Sequence, residues 1–237
     1  MNENEKYYLQ IMDELKKMMR DKEYSDEEIY DKISENSEMI KMIDQRSGCN
    51  LFIHSVLCDR VKLAQKLADR GANIHLEVKG SLYRGNALNV AKTPECADWL
   101  LSIGVQIEKN LEQNSQERMT PYDNPAIMAA VHNDFMMLRY WLTKEGEVFA
   151  DDPQYVSELY TKAIEMCTIV NQPNMLAEIL RDKELYPLLE KAYCEKAFWD
   201  ANSIKKQKKA LKSIEDRALQ DKVKKLVKIL NQRAKEI

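Results

Sequence analysis

The sequence is short of the residues that bend a chain. Its 237 residues include only six glycines and six prolines. All-β folds spend many such residues on turns, so the shortage points to helices. No apolar run approaches the roughly 18 to 20 residues that span a bilayer. The start, Met1-Asn2-Glu3-Asn4-Glu5, is acidic and lacks the basic-then-apolar layout of a signal peptide. Cys49, Cys58, Cys96, Cys167 and Cys194 form no Cys-x-x-Cys pair, which excludes a zinc ribbon or a thioredoxin-type pair. An odd cysteine count and the lack of an Asn-x-Ser/Thr sequon suit a reducing, cytoplasmic setting. His54, His75 and His132 lie far apart and match no metal-ligand spacing. No phosphate-binding glycine loop, no Gly-x-Ser-x-Gly elbow and no His-Glu-x-x-His occurs. The expectation is a protein without cofactor, metal or catalytic residues, not an enzyme.

What the sequence has is charge, unevenly placed. Residues 1–200 carry 24 basic and 35 acidic groups, a net of −11. Residues 201–237 carry 12 basic and 4 acidic groups, a net of +8. In this tail Val223, Leu226, Val227 and Leu230 recur at helical spacing, with Ile204, Leu211 and Ile214 as a looser set. The tail therefore reads as an amphipathic helix with a Lys-rich outer face. Such a face either solvates a terminal helix or contacts an acidic partner or nucleic acid. It has no interleaved aromatics, hence no platform for stacking bases.

Helices dominate the rest. Tyr8, Ile11, Met12, Leu15, Met18 and Met19 form a stripe that predicts a helix from Glu5 to Asp21. Ser25-Asp26-Glu27-Glu28 reads as a capping box opening a short helix to Ser34. A further helix is expected over Met39 to Ile43. Asp151-Asp152 reads as the start of a helix at Pro153, and Asp182 as the cap of a helix through Leu185, Leu189 and Tyr193.

Between these lies an internal repeat. Leu67-Ala68-Asp69-Arg70-Gly71-Ala72-Asn73-Ile74 matches Leu100-Leu101-Ser102-Ile103-Gly104-Val105-Gln106-Ile107, and Trp141 to Gly146 is a weaker copy. Upstream of each copy stands a second phrase, opening at Asn50, Asn86 and Asn124. The pattern resembles the ankyrin repeat family, whose period is roughly 33 residues and whose Thr-Pro-Leu-His-x-Ala phrase opens the first helix of each unit. Here Asn replaces Thr, only Pro125 keeps the Pro, and Ile53, Asn89 and Ile127 stand where the family has His. Asn can cap a helix as Thr does. Gly71, Gly104 and Gly146 are expected to end their second helices in the left-handed conformation. The segment from Thr93 to Leu101 reads about three residues short, with Pro94 tightening its start. Trp99 and Trp141 are expected to pack between units.

The resemblance implies an all-α, ankyrin-type α-solenoid: an N-terminal helical cap over 1–45, three or four repeats over 46–182, and a C-terminal helical cap over 183–237. It also implies a non-catalytic protein–protein interaction module, a scaffold or adaptor that binds through finger loops and a concave helix face. Two loops between repeats are long. Val78 and Leu82-Tyr83 flank Lys79-Gly80-Ser81, which suits a hairpin, and Lys109 to Asp123 is longer still. From the family, the partner-binding role falls on Lys79, Tyr83, Arg84, Arg118 and Tyr122, with His54 and His132 on the inner helices. A stoichiometric inhibitor or immunity protein for a cognate toxin is an alternative, since an acidic body suits a basic partner. Another is a nucleic-acid-binding module using Lys205 to Lys228. The chain is expected to be monomeric and without membrane contact.

Overall fold

The computed structural model describes residues 3–79, 84–109, 124–195 and 200–235. They hold twelve α-helices and one short antiparallel hairpin. The chain divides into two compact units, residues 1–125 and 126–237, so the division falls inside the stretch expected to carry the repeats.

In the first unit, α1 (Glu3–Arg20) buries Ile11, Met12, Leu15, Met18 and Met19, the stripe its sequence spacing predicts. The capping box forms. Ser25 Oγ accepts from the Glu28 N–H at 3.2 Å, and Glu28 accepts from the Ser25 N–H at 2.7 Å. Helix α2 (Asp26–Ser34) follows and buries Ile29 and Ile33. The helix expected over Met39 to Ile43 is instead a five-residue 3₁₀ turn, Ser37–Lys41. The reason is local: Met42 is extended and Ile43 bridges Asn50, which closes the turn beginning at Asp44.

The repeat is visible as geometry. The first unit of the repeat pairs α3 (Leu51–Leu57) with α4 (Val61–Asp69); the second pairs a 3₁₀ turn (Ala87–Val90) with α5 (Pro94–Ser102). Asn50 caps α3 and sends its Nδ2 to the Asn73 carbonyl at 2.7 Å. Asn86 caps the 3₁₀ turn and sends its Nδ2 to the Gln106 carbonyl at 2.9 Å. Both acceptors lie two residues beyond the repeat's glycine. Both glycines are left-handed, with φ +86° at Gly71 and +94° at Gly104. Each closes its helix with the same pair of backbone bonds, Gly71 to Ala68 and Ala72 to Leu67, then Gly104 to Leu101 and Val105 to Leu100. Phe52 and Trp99 meet across the two units of the repeat at 6.1 Å.

The shortening falls elsewhere than expected. Helix α5 has nine residues, like α4. The first element has shrunk to a 3₁₀ turn, so the Asn-to-carbonyl bond spans 20 residues in place of 23. Thr93 and Pro94 open α5 as the sequence suggests.

One arginine fastens the N-terminal helices to this repeat. Arg60 lies at the turn between α3 and α4, its side chain 12% exposed. It donates to the carbonyls of Met19 at 2.9 Å and Tyr24 at 2.6 Å, to that of Asp21, and to Asp26 at 3.0 Å. Those carbonyls include the ones α1 leaves free at its C-terminal end.

The second unit begins with α6 (Pro125–Val131) and α7 (Phe135–Val148). Asn133, at φ +59°, ends α6 as Asp59, at +58°, ends α3. The expectation for Gly146 is overturned. It lies inside α7, which runs on to Val148. A Cβ there would make only ordinary contacts, 3.9 Å from Tyr160 Oη and Val156, so this glycine neither ends the helix nor is required by its neighbours. Helix α8 (Pro153–Val170) starts on Asp152, which caps the Tyr155 N–H at 3.0 Å, and ends at left-handed Asn171. Then come α9 (Pro173–Arg181), α10 (Leu185–Cys194), α11 (Ala201–Lys212) and α12 (Gln220–Arg233). Asp182 accepts from the Leu185 N–H at 3.0 Å, as its capping role predicts.

Helix α10 packs on α8, α9 and α12. Its fully buried Tyr193 donates to Gln207 Oε1 at 2.7 Å, and Gln207 in turn donates to the Thr168 carbonyl. Arg233 closes the end of α10, donating to the carbonyls of Tyr193 and Glu195. The tail is therefore two helices, not one amphipathic helix. Ile204, Leu211, Val223, Leu226 and Leu230 face inward, and Asp216 caps a 3₁₀ turn between the two helices. No helix among the described residues is long and apolar enough to cross a membrane.

Candidate functional site

The candidate surface lies in the first unit, around the turn over residues 44–50. One side of the turn supports the hairpin. Strands β1 (Val78–Lys79) and β2 (Arg84–Gly85) pair Val78 with Gly85 and Lys79 with Arg84. Val78 is buried and packs over Gly48, where a Cβ would come within 3.1 Å of Val78 Cγ1. Gly85 is left-handed at φ +80°, and a Cβ there would lie 2.6 Å from the Asn89 side chain. Asn89 in turn accepts from the Asn86 N–H at 3.3 Å. The finger is thus clamped at its base and leads straight into the second unit of the repeat.

The other side of the turn closes an open depression of about 520 Å³, lined by Asp13, Lys16, Lys17, Arg20, Asp21 and Arg46. Arg46 binds Asp13, and Lys16 reaches inward to Asp44 at 2.6 Å. Lys17 and Arg20 are exposed and, among the described residues, have no carboxylate partner.

Beneath the turn is a sealed polar cluster. Asp44 is 1% exposed, Ser47 5% and His54 3%. Burial alone would raise the Asp44 pKa. The Lys16 ammonium, the Arg46 N–H and the Ser47 hydroxyl outweigh it and bring the value to about 2. For His54, burial and then the Lys16 charge push the pKa down to about 4, so the ring is neutral. Ser, His and Asp together suggest a hydrolytic triad, but the connectivity differs. Ser47 donates to Asp44 at 2.9 Å, and His54 Nε2 lies 3.2 Å from Ser47 and 3.6 Å from Asp44. In a triad the two ring nitrogens serve the two partners separately, and the imidazole takes the serine proton. Here the serine proton is already given to Asp44, so Ser47 accepts from His54. The cluster holds the turn.

The sequence-predicted residues therefore separate. Lys79 and Arg84 stand opposite each other at the finger base; Lys79 is exposed with Glu77 at 3.1 Å, and Arg84 is half-buried. Tyr83, Arg118 and Tyr122 lie outside the described residues. His54 is corrected: it is interior and cannot reach a partner, because its helix turns it onto Ser47. His132 follows α6 in the second unit and is exposed. Sequence reasoning missed the depression. Lys16 and Arg20 are four apart on the flank of the α1 stripe, a readable signal, but nothing local announces that Arg46 joins them.

Comparisons with protein-family models, curated proteins and solved structures return no match.

Proposed function

We propose that the chain is a non-catalytic protein-binding module, built on ankyrin-type helix pairs. Its contact surface is the finger base together with the depression beside it. The observation that carries the reading is the turn over residues 44–50. It is fixed from within by Asp44, Ser47 and His54, and it presents Arg46 to the depression while Gly48 receives Val78 of the finger. Two glycines and a buried polar cluster thus hold an outward-facing feature rigid, and rigid presentation lowers the ordering cost of binding. The local charge is cationic although residues 1–200 are acidic. Among the described residues Lys17, Arg20 and Arg84 have no carboxylate partner, which favours an acidic patch on the partner.

The test is affinity capture from the native host's lysate, comparing the full chain with Lys17→Glu/Arg20→Glu and with Arg84→Glu. One protein should be enriched by the wild type and lost with both variants, with melting temperatures unchanged. Equal recovery with the charge-reversed chains refutes the surface.

A further inference from the structure

In the second unit, α11 and α12 carry a surface that the protein-binding reading does not use. Lys205, Lys209 and Lys212 follow one another at i, i+4 and i+7 on α11, hence on one face. Arg217 follows in the connecting turn, and Lys228 stands on α12. All five are exposed, and among the described residues none has a carboxylate partner. Three neighbouring lysines differ: Lys225 holds Glu190 at 2.6 Å, Lys224 faces Asp221 at 3.5 Å, and Lys208 bonds Asn231 at 2.9 Å. The last of these also ties the two helices together.

We infer that this face binds the phosphate backbone of duplex DNA without reading its sequence. Three observations select that occupant by its chemistry. The apolar sides of both helices, with Ile204, Leu211, Val223, Leu226 and Leu230, are buried in the unit's own core, so none is available to enter a lipid surface. The five residues offer four lysine point charges and one guanidinium with no aromatic among them, whereas protein hot spots favour Trp, Tyr and Arg and deplete Lys. The same lack of rings leaves nothing on which unpaired bases could stack. Duplex RNA is recognised largely by contacts to 2′-hydroxyls across its minor groove, whereas these exposed cations are point charges that pair with phosphates and carry no group that reads a groove. What remains is charge neutralisation along a phosphate backbone.

The experiment is fluorescence anisotropy of the full chain with a labelled DNA duplex of mixed sequence, titrated from 50 to 200 mM salt. Five engaged cations give a slope of about −4.5 in log K against log salt, a several-hundredfold loss over that range. In Lys205→Gln/Lys209→Gln/Lys212→Gln the slope should fall to about −2 and the loss to roughly tenfold. Gln and Lys have similar helix propensity, so α11 stays folded, which far-UV circular dichroism checks. The control is Lys41→Gln/Lys62→Gln/Lys92→Gln, which removes equal charge from the first unit and should leave the slope unchanged. No binding at 50 mM salt overturns the inference. So does an equal drop in slope in the control, tighter binding to an RNA duplex, or tighter binding to phosphatidylserine vesicles.

Discussion

Replacing Arg60 by alanine should unfasten the N-terminal helices from the repeat. The guanidinium is nearly enclosed and makes three well-placed bonds, to Met19 O, Tyr24 O and Asp26, besides that to Asp21 O. Hydrogen bonds to charged groups are worth about 1.5–3 kcal/mol each, but such bonds from one group do not add. Removing the guanidinium also returns its desolvation cost. The comparison that fits is truncation of one partner in a buried charged pair, about 3–5 kcal/mol. For a unit of this size that corresponds to a melting shift of roughly 10–20 °C. Urea denaturation of the full chain gives the free energy. Hydrogen exchange locates it: amides of α1 and α2 should lose protection while those of α8 and α10 keep theirs. Arg60→Lys keeps the charge but cannot reach four acceptors from one planar fork, so it should recover less than half of the loss. A cost for Arg60→Ala below about 1 kcal/mol, or full recovery by lysine, would refute the argument.

Other consequences follow from the same contacts. His54 titrates at about 4 in the folded chain against an ordinary value near 6.5, so between those values the unfolded chain binds a proton that the folded chain does not. Stability should therefore fall by up to about 3 kcal/mol as pH drops from 6.5 to 4. Asp44 adds a second loss as pH falls from its ordinary 3.8 towards about 2. His54→Gln should flatten the first window and spare the second, which urea titrations across pH would read. Gly85→Ala meets Asn89 at 2.6 Å and Gly71→Ala meets nothing within 4 Å, although both residues are left-handed. Gly71→Ala should cost about 1 kcal/mol and Gly85→Ala about 2–4 by thermal melting, and equal costs would count against the clamp. Tyr193→Phe strands the buried Gln207 Oε1 and should cost about 1–3 kcal/mol, with lost exchange protection centred on α10 and α11.

The parts of the fold that sequence reveals are those whose cause is local. The capping box at Ser25, the Asp152-Pro153 start and the left-handed Gly71 and Gly104 each depend on a few adjacent residues, and each forms as its sequence predicts. Gly146 shows the limit. Its phrase matches the other two, yet α7 runs past it to Val148 and a Cβ there would meet Val156 and Tyr160 only at an ordinary 3.9 Å, so a matching phrase does not fix which element it belongs to. The same ambiguity governed the shortened second unit of the repeat. Sequence spacing placed a loss of about three residues in the second helix, Thr93 to Leu101, whereas that helix is full length and the first element is the short one. The loss falls on the first element because Asn86 must still reach the carbonyl beyond Gly104, and a full α5 is needed to place that carbonyl.

The site was less legible, and the reason is its range of contact. Lys79 and Arg84 are joined by a hairpin whose register needs only a few residues. The depression needs α1 and the turn at Arg46, which meet only in the folded unit. His54 looked like a surface residue on a repeat helix because its partners, Asp44 and Ser47, lie before the repeat begins. A buried histidine with a depressed pKa and no separate partner for each nitrogen is evidence of support. The face that such a cluster supports is the better place to seek contact, and here that face is the cationic depression and the finger beside it. If the turn is the hinge of this arrangement, Ser47→Ala should loosen both flanks together. It strands one Asp44 lone pair and the His54 N–H, a cost of about 1–3 kcal/mol. Exchange at Val78 and at Arg46 should then rise in parallel. A rise at only one of them would mean that the finger and the depression are held separately, and the single contact surface proposed for them would have to be divided.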